Sequence, residues 1–334
     1  MAEAPERVII DCDPGHDDMA AILLAAWHDR IRLEAITTVC GNASLANTTN
    51  NALRIVEAFG LDVPVHAGAV QPLLHRYDFP AAFHGPSGLD SAGADLPPAT
   101  RAAQGQHAVD AIIERVEAHP GEITLVVIGP MTNAALVLAK RPDLAGKIKR
   151  LVFMGGSSTE GNVTPAAEFN IWADAEAARI VFRSGVKLVM FGLNVTHQTR
   201  LAQAAIDAVR AAQPGPNPAA DIMQFYCGTY HAFAGADPRG APLHDPCTIA
   251  YLIEPDIFAV EPRPGEVIVA DCESYGQTLI DLRPQDRKHD TRTMNVDVAM
   301  SADTTRFTDL VTQALIWAAK RYATTSKTRT QGAA

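Results

Sequence analysis

Four aspartates fall within the eight residues Asp11-Cys12-Asp13-Pro14-Gly15-His16-Asp17-Asp18. The run leaves the apolar Val8-Ile9-Ile10, turns at Pro14-Gly15 and enters an amphipathic stretch, so it reads as strand, turn and helix start. Asp11 and Asp13 are expected on one strand face, with Asp17 and Asp18 opening the helix. Carboxylates crowded in this way are stable only if a cation neutralises them or some keep their protons. A hard divalent ion with oxygen ligands meets that need, and calcium fits better than zinc because bidentate carboxylates and backbone oxygens are at hand. A single Asp here would be read as a cap or a partner for the positive helix end. Four together exceed what capping uses.

Other polar residues carry weaker signals. Asn42, Asn162 and Asn170, each read alone, fit turns as well as sites. Glu168-Phe169-Asn170 says more, because two polar side chains flanking an apolar one share a face that suits a sugar. His244 precedes Asp245-Pro246, where a turn or cap role competes with proton transfer near neutral pH. Tyr226 and Tyr230 lie four apart on one helix face, either as a core pair or as the wall of a pocket for a flat ring. His84 in Phe83-His84-Gly85 is a further pocket candidate, whereas His16 and His197 are read as structural.

These residues need a frame. Val8–Ile10, Leu33–Val39, Ile123–Ile128, Leu151–Met154 and Lys187–Phe191 read as strands buried on both faces. Helical spacing runs through Asp18–His28, Thr49–Phe59, His107–Ala118, Thr132–Ala139 and Ala175–Arg183, with Gly60 and Gly185 placed to end two helices. The alternation predicts an α/β fold: a mostly parallel central sheet flanked by helices, open and Rossmann-like, with ligands at the carboxyl ends of the strands. Residues 71–101 lack any sustained period and are read as a mobile flap over the site. A β-rich stretch is expected over Val267–Leu282, and a last helix over Thr308–Tyr322. The expected organisation is one domain over 1–323, followed by a frayed polar tail at 324–334.

Composition excludes several classes. The 334 residues are 47% hydrophobic and 20% charged, which suits a soluble protein with a sizeable core. A net charge of −10 without a dense Lys/Arg run argues against a nucleic-acid partner. Five scattered cysteines without a CxxC pair indicate reduced thiols and a cytoplasmic setting. The polar start lacks the pattern of a signal peptide, and no apolar run is long enough to predict a membrane span.

The octapeptide Asp11 to Asp18 resembles the DxDPGxDD signature of the inosine–uridine-preferring nucleoside hydrolase family. Further matches follow in the family's order: Thr37-Thr38-Val39-Cys40-Gly41-Asn42, Gly129-Pro130-Met131-Thr132-Asn133, Met154-Gly155-Gly156, Gly161-Asn162, Ala167-Glu168-Phe169-Asn170, Val195-Thr196-His197-Gln198 and His244-Asp245-Pro246. The resemblance implies hydrolysis of the N-glycosidic bond of ribonucleosides to free base and ribose. It assigns Asp13 as general base, and Asp13, Asp18, Asp245 and the carbonyl of Ile128 as holders of one calcium ion per subunit, which binds and acidifies the attacking water. It places Asp17 and Asn170 at the 2′-hydroxyl, Asn42 and Asp245 at the 3′ side, and Asn162 and Glu168 at the 5′-hydroxyl, with Phe169 between them. His244 resembles the acid that protonates the leaving base, and Tyr226 and Tyr230 the lining of the base pocket, beside which His84 is placed. Asp11 is expected to orient ligands rather than to bind. A homodimer or homotetramer is implied as well.

Two other readings compete. A haloacid-dehalogenase-like phosphatase also carries DxD after a strand, but Pro14-Gly15 and a second Asp pair are foreign to that pattern. A catalytically silent nucleoside- or calcium-binding protein on the same fold is the other, and turnover separates it from the enzyme.

Overall fold

The structure is a computed structural model that describes residues 4–76, 81–284 and 293–332, with no side-chain detail at 81–82 and 327–332. In chain order the first elements are β1 (Glu6–Cys12), α1 (His16–Trp27), β2 (Ile31–Thr38), α2 (Leu45–Ala58), β3 (Val65–Ala67), α3 (Ala81–His84) and α4 (Ala108–Ala118). Then come β4 (Ile123–Val127), α5 (Thr132–Lys140), β5 (Arg150–Met154), α6 (Phe169–Ala173), α7 (Ala175–Phe182), β6 (Leu188–Phe191), α8 (Leu193–Thr196), β7 (Arg200–Leu201) and α9 (Gln203–Ala212). The remainder is α10 (Pro218–Ala234), β8 (Ala241–Pro242), α11 (Pro246–Ile253), β9 (Phe258–Arg263), β10 (Gly265–Val267), β11 (Thr278–Ile280), β12 (Val296–Ala302) and α12 (Thr304–Gly332).

The central sheet has the order β3-β2-β1-β4-β5-β6-β12-β9, parallel throughout except for β9, which runs antiparallel to β12 at one edge. The five strands expected from buried apolar runs form its middle. Alternation along each strand divides the core into two layers. Val8, Ile10, Val126 and Val152 face α1, α2, α11 and α12, while Ile9, Leu125, Val127 and Phe153 face α4, α5 and α7. This two-sided burial is why these strands read as continuous apolar runs. Chain order reverses between β1 and β4, and at such a point the loops after the two strands part and leave a crevice at their carboxyl ends.

Several boundaries differ from expectation. The β-rich stretch over 267–282 is only a two-stranded ribbon, β10 with β11, and the strands that complete the sheet are β9 and β12. β9 is half exposed at an edge and β12 partners it antiparallel, so neither shows the unbroken apolar run of the middle strands. Gly60 follows the end of α2 with φ +62, as expected of a helix-terminating glycine, while Gly185 lies one residue further past α7 than expected. The tail expected from residue 324 is instead the end of α12, which no Pro or Gly interrupts before Gly332. Arg321 ties that end to the sheet layer, its guanidinium donating to the carbonyls of Phe59 and Gly60. Residues 333–334 lie outside the described residues.

The flap read over 71–101 includes residues 77–80, which lie outside the described residues. From His84 onward it is anchored. Leu89 and Leu96 are buried, Arg54 donates to the Leu96 carbonyl, and the Ala94 N–H donates to Asp221 of α10 at 2.8 Å. No described helix is long and apolar enough to cross a membrane.

Candidate active site

Asp13 leaves the end of β1 into a slot shaped by two glycines. A Cβ placed on Gly41 would stand 1.9 Å from its Oδ2, and one on Gly129 would stand 2.5 Å from its Oδ1. Only glycine on both sides lets the carboxylate sit there. Oδ2 accepts the Asn42 backbone N–H at 2.6 Å, while Oδ1 is buried without a hydrogen-bond partner. An orphaned anionic oxygen is costly unless something absent from the chain completes it.

Asp17 and Asp18 occupy the first turn of α1, and Asp245 stands at the start of α11, whose first helical residue is Pro246. Two helix N-termini, each with unsatisfied N–H groups and a partial positive charge, thus face the same carboxylates. One oxygen from each of Asp17, Asp18 and Asp245 lies within 4.8 Å of the others. Asp13 joins them through its backbone, its N–H donating to Asp18 Oδ1 at 3.2 Å. Asp18 Oδ2 accepts from the Gly15 N–H at 2.9 Å and from Asn42 Nδ2 at 3.3 Å. Burial, and then the neighbouring charges, push Asp13 and Asp245 well above the ordinary carboxylate range. Burial likewise carries Asp17 to about 6 and Asp18 to about 7. Without a positive charge, burial and mutual repulsion shift this cluster toward its protonated forms.

Asp11 does not share this role. Its Oδ1 accepts from Thr37 Oγ1 at 2.6 Å and from Asn133 Nδ2 at 2.8 Å, tying β1 to β2 and α5. The octapeptide therefore divides into one structural and three site carboxylates.

A pocket of about 340 Å³ opens over the cluster. Asp17, Asn42, His84, Ile128, Asn162, Glu168, Phe169, Asn170, Tyr226, Tyr230, His244 and Asp245 all line it, which brings together every expected site residue except Asp13 and Asp18. Those two adjoin it through Asn42. The polar side chains are held by their own loops. Glu168 caps α6, its carboxylate accepting the N–H groups of Gly156, Asn170 and Ile171, and burial raises it to about 7. Asn170 Nδ2 donates to the carbonyls of Ile128 and Met154 at 3.0 and 3.1 Å, so its Oδ1 remains as an acceptor. Asn162 Oδ1 accepts the Phe169 N–H at 2.9 Å, which leaves its amide nitrogen as a donor.

The far wall is aromatic. Tyr226 and Tyr230 sit one turn apart on α10, ring centroids 5.7 Å apart, and Phe83 meets Tyr230 edge-on at 5.5 Å. Tyr226 is buried, and its hydroxyl is spent on the Pro242 carbonyl at 2.8 Å. His244 contacts Thr196 Oγ1 through Nδ1 at 2.8 Å and the Tyr230 hydroxyl through Nε2 at 3.4 Å. Burial lowers it to about 3, so it stands as a neutral imidazole. His84 is buried against His16, Nδ1 to Nδ1 at 3.1 Å, and is likewise held well below the histidine range.

Sequence reasoning missed Met154, Val163 and Phe233 as lining residues and gave Phe83 no role of its own. Phe233 was findable, because Tyr226, Tyr230 and Phe233 continue one helical stripe. Nothing in the sequence marked Thr196 as the partner of His244.

The description "Inosine-uridine preferring nucleoside hydrolase" matches residues 8–309. The chain belongs to that family. It is a ribonucleoside hydrolase, an enzyme that cleaves N-glycosidic bonds. It is 43% identical over 276 residues to the pyrimidine-specific ribonucleoside hydrolase RihB of Shigella sonnei, covering 82% of this chain and 87% of that one. RihB of Escherichia coli K12 matches to the same extent. Among solved structures, a purine-preferring ribonucleoside hydrolase from Gardnerella vaginalis superposes with a TM-score of 0.86 at 31% identity, covering 94% and 99% of the two chains. A plant nucleoside hydrolase superposes at 0.84 and 30% identity, over 93% and 99%. Nucleoside hydrolases bind a metal ion, and the residues here fit one. The donors are all oxygen, and Asp13, whose Oδ1 is buried without a partner, is tied to that cluster by its N–H to Asp18.

Proposed function

We propose that this hydrolase binds a ribonucleoside with its ribose against the carboxylates and its base against the aromatic wall, and that Asp13 is the general base. The orphaned Asp13 Oδ1 carries the reading, since a carboxylate clamped between Gly41 and Gly129 with one free oxygen is positioned to take a proton and is too confined to serve as an adaptable surface charge. Asp13, Asp17, Asp18 and Asp245, with the Ile128 carbonyl, are the groups that would hold calcium. When bound, the ion supplies the positive charge that keeps these carboxylates ionised and lowers the pKa of water in the site.

The ribose hydroxyls meet complementary groups. Asp17 and the free Oδ1 of Asn170 flank the 2′-hydroxyl, one of them accepting its single hydrogen, Asp245 and Asn42 take the 3′ side, and Glu168 and the Asn162 amide take the 5′-hydroxyl. Holding three hydroxyls fixes the anomeric carbon opposite Asp13 and favours a flattened ring on the way to an oxocarbenium-like transition state. At the other end the His244–Tyr230 pair donates to the departing base. Nε2 of His244 and the Tyr230 hydroxyl, 3.4 Å apart, are the groups that hydrogen-bond the departing base, and His244 gives up a proton to it only from its imidazolium form, returning to the neutral ring.

Identity to pyrimidine-specific relatives exceeds that to the purine-preferring one, which supports pyrimidine ribonucleosides as the preferred substrates. The test is a panel of uridine, cytidine, inosine and adenosine assayed for base release, with calcium present and after chelation. Uridine hydrolysis that chelation stops and calcium restores is the expected result. Chelation-insensitive turnover would remove the metal from the mechanism, and a purine preference would overturn the substrate assignment.

A further inference from the structure

We propose that His16 is a positioning residue that fixes His84 as a hydrogen-bond acceptor toward the pocket, so that the site takes a nucleoside group bearing N–H or O–H at that point. The proposal rests on the assignment of this pocket to a nucleoside. His16 does not line the pocket; it is fully buried in the first turn of α1. Its ring stacks on Phe225 with centroids 5.2 Å apart and planes 3° apart, and on His84 at 5.3 Å. Stacking alone would make it packing. Its nitrogens say more.

Nε2 of His16 lies 2.9 Å from the carbonyl oxygen of Asp90. A carbonyl only accepts, so this nitrogen carries the hydrogen, and the neutral ring presents a lone pair at Nδ1. That lone pair meets His84 Nδ1 at 3.1 Å. One hydrogen lies between the two nitrogens, and it belongs to His84. The remaining nitrogen of His84, Nε2, therefore has a lone pair, and it makes no hydrogen bond among the described residues although His84 lines the pocket. The Asp90 carbonyl, six residues beyond His84 in the chain, thus selects the tautomer of a pocket residue through His16. Such control of one ring nitrogen by the partner of another is how histidine orientation is generally set. The Tyr226 hydroxyl points to Pro242 and does not compete for the substrate group.

The test uses the full-length protein with calcium. Histidine-selective ¹⁵N labelling and long-range ¹H–¹⁵N correlation read which ring nitrogens are protonated, with His84→Asn supplying the assignment. In the parent, His84 should show hydrogen on Nδ1 and none on Nε2. His16→Phe keeps the stack and removes both hydrogen bonds, so the Nε2–H form should appear and KM for uridine should rise about ten- to a hundredfold with kcat within about threefold. His16→Gln, which offers both a donor and an acceptor, should return KM to within about threefold of the parent. Hydrogen on His84 Nε2 in the parent overturns the proposal, as does a His16→Phe protein with parental spectrum and KM. If His16→Phe fails to fold, His16→Gln decides by spectrum, since loss of the Nδ1–H form there overturns the proposal and its retention supports it. The spectrum needs no turnover, so absence of base release by the parent would sink the substrate assignment and leave this result standing.

Discussion

The two ends of the pocket are built on different principles. At the acid end, Asp13, Asp17 and Asp18 come from one short stretch of chain, at the end of β1 and the start of α1, and the N–H groups that hold Asp13 and Asp18 belong to the backbone and to Asn42. At the aromatic end, Phe83, His84, Tyr226, Tyr230 and Phe233 come from two helices distant in sequence, and Phe233 is 65% exposed. The first end tolerates no movement, because a Cβ on either glycine would strike Asp13. The second is made of side chains, of which Tyr226 and His84 are buried and Phe233 stands largely in solvent. Bond cleavage demands fixed geometry, whereas accepting one base over another demands a wall that can be changed without disturbing the chemistry.

The contrast is broken or sharpened most strongly by removing one oxygen from the substrate. 2′-Deoxyuridine has the more labile glycosidic bond, yet kcat/KM should fall ~10⁴–10⁵-fold, because Asp17 and Asn170 lose their partner in a closed site. Deoxy substrates hydrolysed within about tenfold of the ribo forms, ~1.4 kcal/mol, would show that the acid end does not read the sugar. Asp13→Asn should reduce kcat ~10²–10⁴-fold, as expected for loss of a positioned base. The check pairs kcat with metal content, and a loss below about tenfold with the metal retained would take the base role from Asp13.

Effects at the aromatic end should be smaller and depend on the substrate. His244→Ala should slow uridine ~10²-fold while sparing p-nitrophenyl riboside, whose leaving group needs no proton. Equal losses on both substrates would make His244 structural. Phe233→Ala should leave kcat nearly unchanged and raise KM by less than about tenfold, as removal of a partly exposed hydrophobic contact does. A kcat loss comparable to that of Asp13→Asn would erase the distinction between the two ends.

Legibility in the sequence followed the same divide. Asp11 to Asp18 announced itself because its residues are adjacent and their crowding has few physical solutions. Asp11 was set apart from its neighbours as an orienting residue, but its partners Thr37 and Asn133 are not announced by the carboxylate itself. Val163 was missed because an exposed apolar residue carries no signal until a cavity is seen beside it, whereas Phe233 could have been followed along the stripe of Tyr226 and Tyr230. β9 and β12 were missed because a half-exposed edge pair lacks the apolar run that betrayed β1, β2, β4, β5 and β6.

The sequence by itself determined the parallel α/β frame, the strand that delivers the carboxylates and the oxygen character of the site. These follow from period, burial and turn chemistry, which are local. Only the tertiary structure decided which groups are free to act. It showed Asp13 Oδ1 without a partner, Glu168 committed to three backbone N–H groups, His244 buried against Thr196 and Tyr230, and His84 set Nδ1 to Nδ1 against His16. The partners of His244 and His84 come from 14 to 68 residues away in the chain, and no local pattern encodes them.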